Sequence, residues 1–141
     1  MATQVGIGLI GAGRIGASHA RVIAERVPGA VLAAVADARP GAAAALADPY
    51  GATAYDDPRS LIDDPGVDVV VITASSTAHA ELIIAVAGAG KPVFCEKPAS
   101  MTLAEMDRVL AASVTKSVHK VRFFMDENLA LTWLISHLAD S

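Results

Sequence analysis

Three glycines and one aspartate carry the strongest chemical signal in this sequence. Gly11, Gly13 and Gly16 form a G-x-G-x-x-G turn directly after the apolar run from Val5 to Ile10. In a loop built to face phosphate, the first glycine permits the tight turn and the second lets the backbone come close to a pyrophosphate. The third lets the following helix pack against the strand. The free N–H groups at the helix start, where Arg14 and Ile15 lie, favour negative charge in front of them. Asp37 ends a second apolar run, Ala30 to Ala36, 21 residues after Gly16. A carboxylate at that distance is placed to read ribose hydroxyls. The pattern is that of a dinucleotide site, set against the plainer reading of a glycine-rich turn in an unrelated α/β domain. A carboxylate at position 37 accepts from a free 2′-OH and repels a 2′-phosphate, so NAD is expected over NADP. Arg39, two residues on, could stack on adenine or offset part of that repulsion.

The elements that must hold these residues alternate between strand and helix. Strands are expected at 5–10, 30–36, 52–54, 67–73 and 92–95, and helices at 14–26, 41–47, 58–62, 77–89 and 102–112. The run Val67 to Thr73 is apolar nearly throughout, as a strand buried on both faces should be. Gly90 is placed to stop the helix before it, whose apolar face is read as Ala78, Leu82, Ile83 and Val86. Thr102 and Glu105 form a capping box. This alternation predicts an α/β fold: a Rossmann-type, doubly wound parallel sheet in three α-β-α layers. The loop Thr73-Ala74-Ser75-Ser76 follows the strongest strand, at the carboxyl edge where ligands bind in such sheets. Ser76 or Thr77 is expected to cap the next helix.

Composition narrows the function classes. The chain has 141 residues, 53% of them hydrophobic, and a formal net charge of −4. It offers no basic footprint for nucleic acid or an anionic membrane surface. One cysteine, Cys95, allows no internal disulfide and fits a reducing cytoplasm. No signal peptide or membrane span is read, and a cytoplasmic protein is expected. The four histidines are scattered, without metal-ligand spacing, so no metal is expected.

At Gly90-Lys91-Pro92-Val93-Phe94-Cys95-Glu96-Lys97-Pro98-Ala99 the chain becomes recognisable. Together with Gly11 to Ala20, Val35-Ala36-Asp37 and Ser75-Ser76-Thr77-Ala78-His79, it resembles the Gfo/Idh/MocA oxidoreductases, the inositol 2-dehydrogenase branch most of all. The resemblance runs from about residue 4 to about residue 112. It implies an N-terminal NAD(P)-binding Rossmann domain, here 1–120, and an oxidoreductase that moves hydride between a polyol or sugar hydroxyl and NAD. Lys97 matches the family lysine that assists proton movement at the reacting carbon. An ammonium there stabilises a developing alkoxide; the plainer role is a solvated lysine at a strand end. Glu96 matches the residue near the nicotinamide ribose, and Pro98 the proline that follows the lysine. Thr73, Ala74, Ser75 and Ser76 match a loop that lines the cofactor largely through backbone groups. His79 matches a histidine near the cofactor site, although a lone His in a first helical turn is as readily structural. His19 also fits the family pattern and is read as packing or hydrogen-bonding locally, and Cys95 as a small core residue.

The segment 121–141 departs from the family. Where the family continues as Val-Gly-Phe-Asn-Arg-Arg-Phe, this chain has Val121-Arg122-Phe123-Phe124-Met125-Asp126-Glu127-Asn128. A sixth strand at 120–124 and a final helix at 127–138 are expected, the helix capped by Asp126. The family's C-terminal domain, which carries substrate determinants and the oligomer interface, is expected to be absent. A strand followed by Asp-Glu-Asn-Leu is also similar to the opening of PIN-like nuclease domains, which raises a frameshift, gene fusion or misassembled reading frame; one acidic pair is too little for a metal nuclease site. Two functions therefore compete. One is a polyol or sugar dehydrogenase whose partner is a homo-oligomer or a separate substrate domain. The other is a nucleotide-binding module without turnover, because hydride transfer needs a second wall to position substrate and exclude water. Loss of a covering domain would also leave exposed apolar patches.

Overall fold

The computed structural model describes residues 4–95 and 101–115. Five strands, β1 (Val5–Ile10), β2 (Ala30–Ala36), β3 (Thr53–Tyr55), β4 (Val69–Ile72) and β5 (Val93–Cys95), form one sheet in the order β3-β2-β1-β4-β5. Every pairing is parallel. The helices are α1 (Arg14–Arg26), α2 (Ala42–Ala47), α3 (Pro58–Ile62), α4 (His79–Gly88) and α5 (Leu103–Thr115).

Side-chain alternation along the strands divides the core between the two faces. Ile7, Leu9, Val69 and Val71 pack with Ala20 and Ile23 of α1 and with Ala43 and Ala47 of α2. Ile10, Val70 and Ile72 face the other way, onto Leu61 and Ile62 of α3, Ala80, Ile83 and Val86 of α4, and Val109 of α5. This is the doubly wound, three-layer arrangement expected from the sequence. In β2 the alternation slips: Ile7 pairs with Leu32 but Gly8 with Ala34. Ala33 is thus an extra residue, which puts Leu32 and Val35 on the same face.

The bounds of β1, α1, β2 and α3 are those expected from the sequence. Elsewhere the structure corrects them. β3 lies one residue later, and β4 is four residues long, because Asp64 and Gly66 hold a turn in front of it. α4 begins at His79, after a 3-10 turn at Ser76–Ala78, and neither Ser76 nor Thr77 caps it through a side chain. Its buried residues are His79, Ala80, Ile83, Val86 and Ala87, while Ala78 and Leu82 are half-buried. Gly90 does end this helix. Its N–H reaches the Ala87 carbonyl at 3.0 Å and that of Lys91 reaches Val86 at 3.2 Å, the paired closure of a Schellman motif. The capping box of α5 forms with one displacement. Glu105 N–H donates to Thr102 Oγ1 at 3.1 Å, and the Glu105 carboxylate accepts from Met101 N–H, one residue before the cap. The expected strand at 120–124 and helix at 127–138 lie outside the described residues.

Large apolar side chains are exposed at Ile15, Val31, Met101, Leu103 and Leu110. Among the described residues, no helix is long and apolar enough to cross a membrane.

Candidate functional site

The strand order reverses between β1 and β4: β2 and β3 lie on one side of β1, β4 and β5 on the other. In open α/β sheets such a reversal, at the carboxyl ends of two adjacent strands, is where the ligand crevice lies. The chain leaves β1 into the glycine turn. Gly11 N–H donates to the Ala36 carbonyl at 2.8 Å, and Thr73 N–H, just past β4, donates to the Ile10 carbonyl at 2.8 Å. The three strand ends that carry the predicted residues are therefore tied together through the main chain.

Within the turn, the glycines do three different things. Gly11 has φ +110°, and a Cβ there would come 2.6 Å from the Ala74 amide nitrogen. A Cβ at Gly16 would fall on the Gly11 carbonyl oxygen, so α1 can stand on the turn only without a side chain at that position. At Gly13 a Cβ would meet nothing within 4 Å. That open space lies directly before the N-terminus of α1, whose first closed turn is Ala17 N–H to Gly13 O at 2.9 Å. The amides of residues 14–16 precede that closure. Arg14 and Ile15 are both exposed here. This open, amide-lined space at a helix N-terminus fits a pyrophosphate.

Asp37 leaves β2 at the same edge. Its Oδ2 accepts from Ala12 N–H at 2.8 Å, and its Oδ1 from Arg39 N–H at 2.8 Å. The Arg39 guanidinium adds Nε to Oδ1 at 3.1 Å and Nη2 to Oδ2 at 3.0 Å. The guanidinium bonds, followed by the two backbone amides, outweigh partial burial and hold the Asp37 carboxyl at about 2, below its ordinary 3.8. The carboxylate is fixed, ionised and beside the glycine turn.

The loop after β4 closes the third side. Thr73 Oγ1 donates to the Gly11 carbonyl at 2.9 Å, so its hydroxyl braces the turn. Ser75 Oγ and Thr77 Oγ1 lie 3.3 Å apart, and Ala78 N–H closes the 3-10 turn on the Ser75 carbonyl at 2.9 Å. His79 is 2% exposed, and its Nε2 is 2.8 Å from the Ala74 carbonyl oxygen. It supports this loop from behind. His19, fully buried on α1, packs against Phe94 of β5 with ring centroids 5.9 Å apart, a contact with a distant strand and not a local one.

The structure thus brings together Gly11, Gly13, Arg14, Ile15, Gly16, Asp37, Arg39, Thr73, Ala74, Ser75 and Ser76 around one crevice, with His79 behind it. Glu96, Lys97 and Pro98 lie outside the described residues; Cys95 before them pairs with Ile72 at the end of β4. Ala12 was not singled out in the sequence, and no signal there could have found it, because its contribution is a backbone amide.

The family model described as an oxidoreductase family with an NAD-binding Rossmann fold matches residues 5–123. This chain belongs to the Gfo/Idh/MocA oxidoreductases. Among curated members of the family, the myo-inositol 2-dehydrogenase of Thermotoga maritima is 45% identical over 105 residues, covering 74% of this chain and 31% of that protein. The inositol 2-dehydrogenase of Salmonella typhimurium is 45% identical over 107 residues, covering 74% and 32%. The chain therefore spans about a third of the length of these relatives. Among solved structures, a myo-inositol dehydrogenase from Lactobacillus casei in complex with NAD(H) and myo-inositol superposes with TM-score 0.78. It is 32% identical, over 82% of this chain and 34% of that one. A levoglucosan dehydrogenase in complex with NADH and levoglucosan gives TM-score 0.71 at 35% identity, over 81% and 33%. The Gfo/Idh/MocA fold and its NAD-binding character are thereby shown for this domain.

Proposed function

We propose that this chain is the cofactor half of an NAD-dependent dehydrogenase acting on a polyol or sugar hydroxyl, of the inositol 2-dehydrogenase type. The observation that carries the reading is the crevice itself. An open space before Gly13, a fixed carboxylate at Asp37 and the Thr73–Ser76 loop converge at the switch point of the sheet. The relatives and structural neighbours named for inositol and sugar dehydrogenation support the substrate class.

When bound, NAD supplies the hydride acceptor. The amides at the start of α1 hold the pyrophosphate, with Gly13 leaving room for it and Arg14 adding positive charge at the rim. Asp37 accepts from the adenosine ribose hydroxyls, which selects NAD over NADP. Ile15 and the backbone of Thr73, Ala74, Ser75 and Ser76 line the walls and exclude water, while His79 holds the Ala74 carbonyl in place. By the family resemblance, Glu96 and Pro98 would serve the nicotinamide end of the cofactor. Lys97 is the catalytic residue, moving the proton at the substrate hydroxyl oxygen as hydride leaves the adjacent carbon. We place the NAD-binding domain at residues 1–120 and treat 121–141 as a separate tail. The substrate-facing wall would come from a further domain or a partner chain, in a cytoplasmic, homo-oligomeric enzyme.

Calorimetric titration with NAD and NADP tests the cofactor half of the reading. Micromolar-to-millimolar NAD binding, lost in Asp37→Ala, is expected; a folded protein that binds neither nucleotide would refute it. The chemical half is tested by NAD reduction with myo-inositol and related polyols once the substrate wall is supplied. Lys97→Ala should abolish that reduction and leave NAD affinity unchanged.

A further inference from the structure

The Asp37 carboxylate has about four lone-pair positions, and all four are filled. Backbone N–H groups of Ala12 and Arg39 take one on each oxygen, at 2.8 Å in both cases. The Arg39 side chain takes the other two, through Nε at 3.1 Å and Nη2 at 3.0 Å. The two kinds of partner differ in how readily they leave. Asp37 is held by the main chain, its own N–H donates to the Tyr55 carbonyl, and its side chain is 11% exposed. The Arg39 side chain is 65% exposed and can move into solvent.

We infer that Arg39 lowers the preference for NAD over NADP that Asp37 gives this domain, by occupying the two carboxylate positions that a ribose diol must take. The inference rests on the proposed NAD-binding role of Asp37. A diol can bind Asp37 only after the guanidinium lets go of both oxygens, so Arg39 competes with NAD. A 2′-phosphate acts oppositely, because it draws the guanidinium away from Asp37 and pairs with it. Arg39 therefore weakens NAD binding and sustains whatever NADP binding the domain has. Stacking of Arg39 on adenine, the other role open to it, would give the reverse effect on NAD.

The test is calorimetric titration of wild type, Arg39→Ala and Arg39→Lys with NAD and with NADP. Arg39 is exposed, and its removal leaves the fold's buried contacts untouched. Breaking an exposed ion pair before NAD can bind predicts that Arg39→Ala binds NAD about 2- to 5-fold more tightly. NADP should bind at least ~10-fold more weakly, as expected when a phosphate loses its charged partner. Arg39→Lys, which keeps the charge without the two-pronged grip, should tighten NAD and retain most NADP binding. Weaker NAD binding by Arg39→Ala, or an unchanged ratio of the two affinities, would overturn the inference while leaving the NAD site in place. Failure of the wild type to bind either nucleotide would overturn both.

Discussion

His79 and Ala74 are joined across the start of α4: the imidazole Nε2 stands 2.8 Å from the Ala74 carbonyl oxygen. A carbonyl only accepts, so Nε2 carries the hydrogen. Ala74 in turn lies against Gly11, where a Cβ would come 2.6 Å from its amide nitrogen. A buried side chain on one helix thus fixes the distance between the two loops that frame the crevice.

His79→Leu keeps much of the volume and removes the donor. The orphaned Ala74 carbonyl should cost about 1–3 kcal/mol, read from urea unfolding. NAD affinity should fall as well, since the loop loses its support. His79→Gln can still donate and should recover part of both losses. Full NAD affinity in a folded His79→Leu protein would show that the crevice does not depend on this bond.

Gly13 and Gly16 should separate binding from folding. A Cβ at Gly13 enters open space and one at Gly16 strikes the Gly11 carbonyl. Gly13→Ala should stay within ~1 kcal/mol of wild type in stability and lose NAD affinity by at least ~10-fold, about 1.4 kcal/mol. Gly16→Ala forces α1 off the turn and should cost about 1–3 kcal/mol of stability. Paired denaturation curves and NAD titrations check both.

The depressed carboxyl of Asp37 sets an acid limit. Its folded value of about 2 lies below 3.8, so the ionised group contributes stability that is fully present above about pH 4. That contribution disappears as pH falls towards 2. Asp37→Asn lacks it, so the melting-temperature gap between wild type and Asp37→Asn should narrow from pH 4 to pH 2. A gap that stays constant over that range would show that the Asp37 bonds do not depend on its charge.

Lys91 closes a helix from a distance. Its Nζ donates to the Ile62 carbonyl and, at 2.8 Å, to that of Asp64. The Ile62 carbonyl is the last of α3, that of Asp64 lies in the turn that follows, and Lys91 stands just before β5. Lys91→Met keeps the apolar stem, strands the Ile62 carbonyl, leaves the Asp64 carbonyl with Val67 N–H at 3.0 Å, and should lower stability by about 1–3 kcal/mol. Thermal unfolding that matches wild type would assign the Ile62 carbonyl to water.

Much of the fold was legible in the sequence, because its signals are local. The apolar runs of β1 and β2, with Pro28-Gly29 between α1 and β2, bound those elements to the residue. The alternation of strand and helix led to the doubly wound sheet, and the Glu-Lys-Pro segment to the family. The register slip at Ala33 and the 3-10 turn before α4 left no such mark. Gly6 and Gly8 also went unread. A Cβ at Gly8 would come 2.6 Å from Leu61 Cδ2, and one at Gly6 would strike the Gly66 carbonyl. These two glycines let α3 and the turn before β4 press against β1, a demand made by residues more than fifty positions away.

The candidate site divides in the same way. Residue types and spacing along the chain determined the glycine turn, the carboxylate at the end of β2 and the loop after β4, because each depends on chain geometry within a few residues. Only the tertiary structure decided that Asp37 is bound to Ala12 and held by Arg39, that Thr73 braces Gly11, and that His79 turns back to the Ala74 carbonyl. Those contacts use backbone amides and carbonyls, which every residue possesses and no sequence pattern distinguishes. Packing alone determines which of them meet.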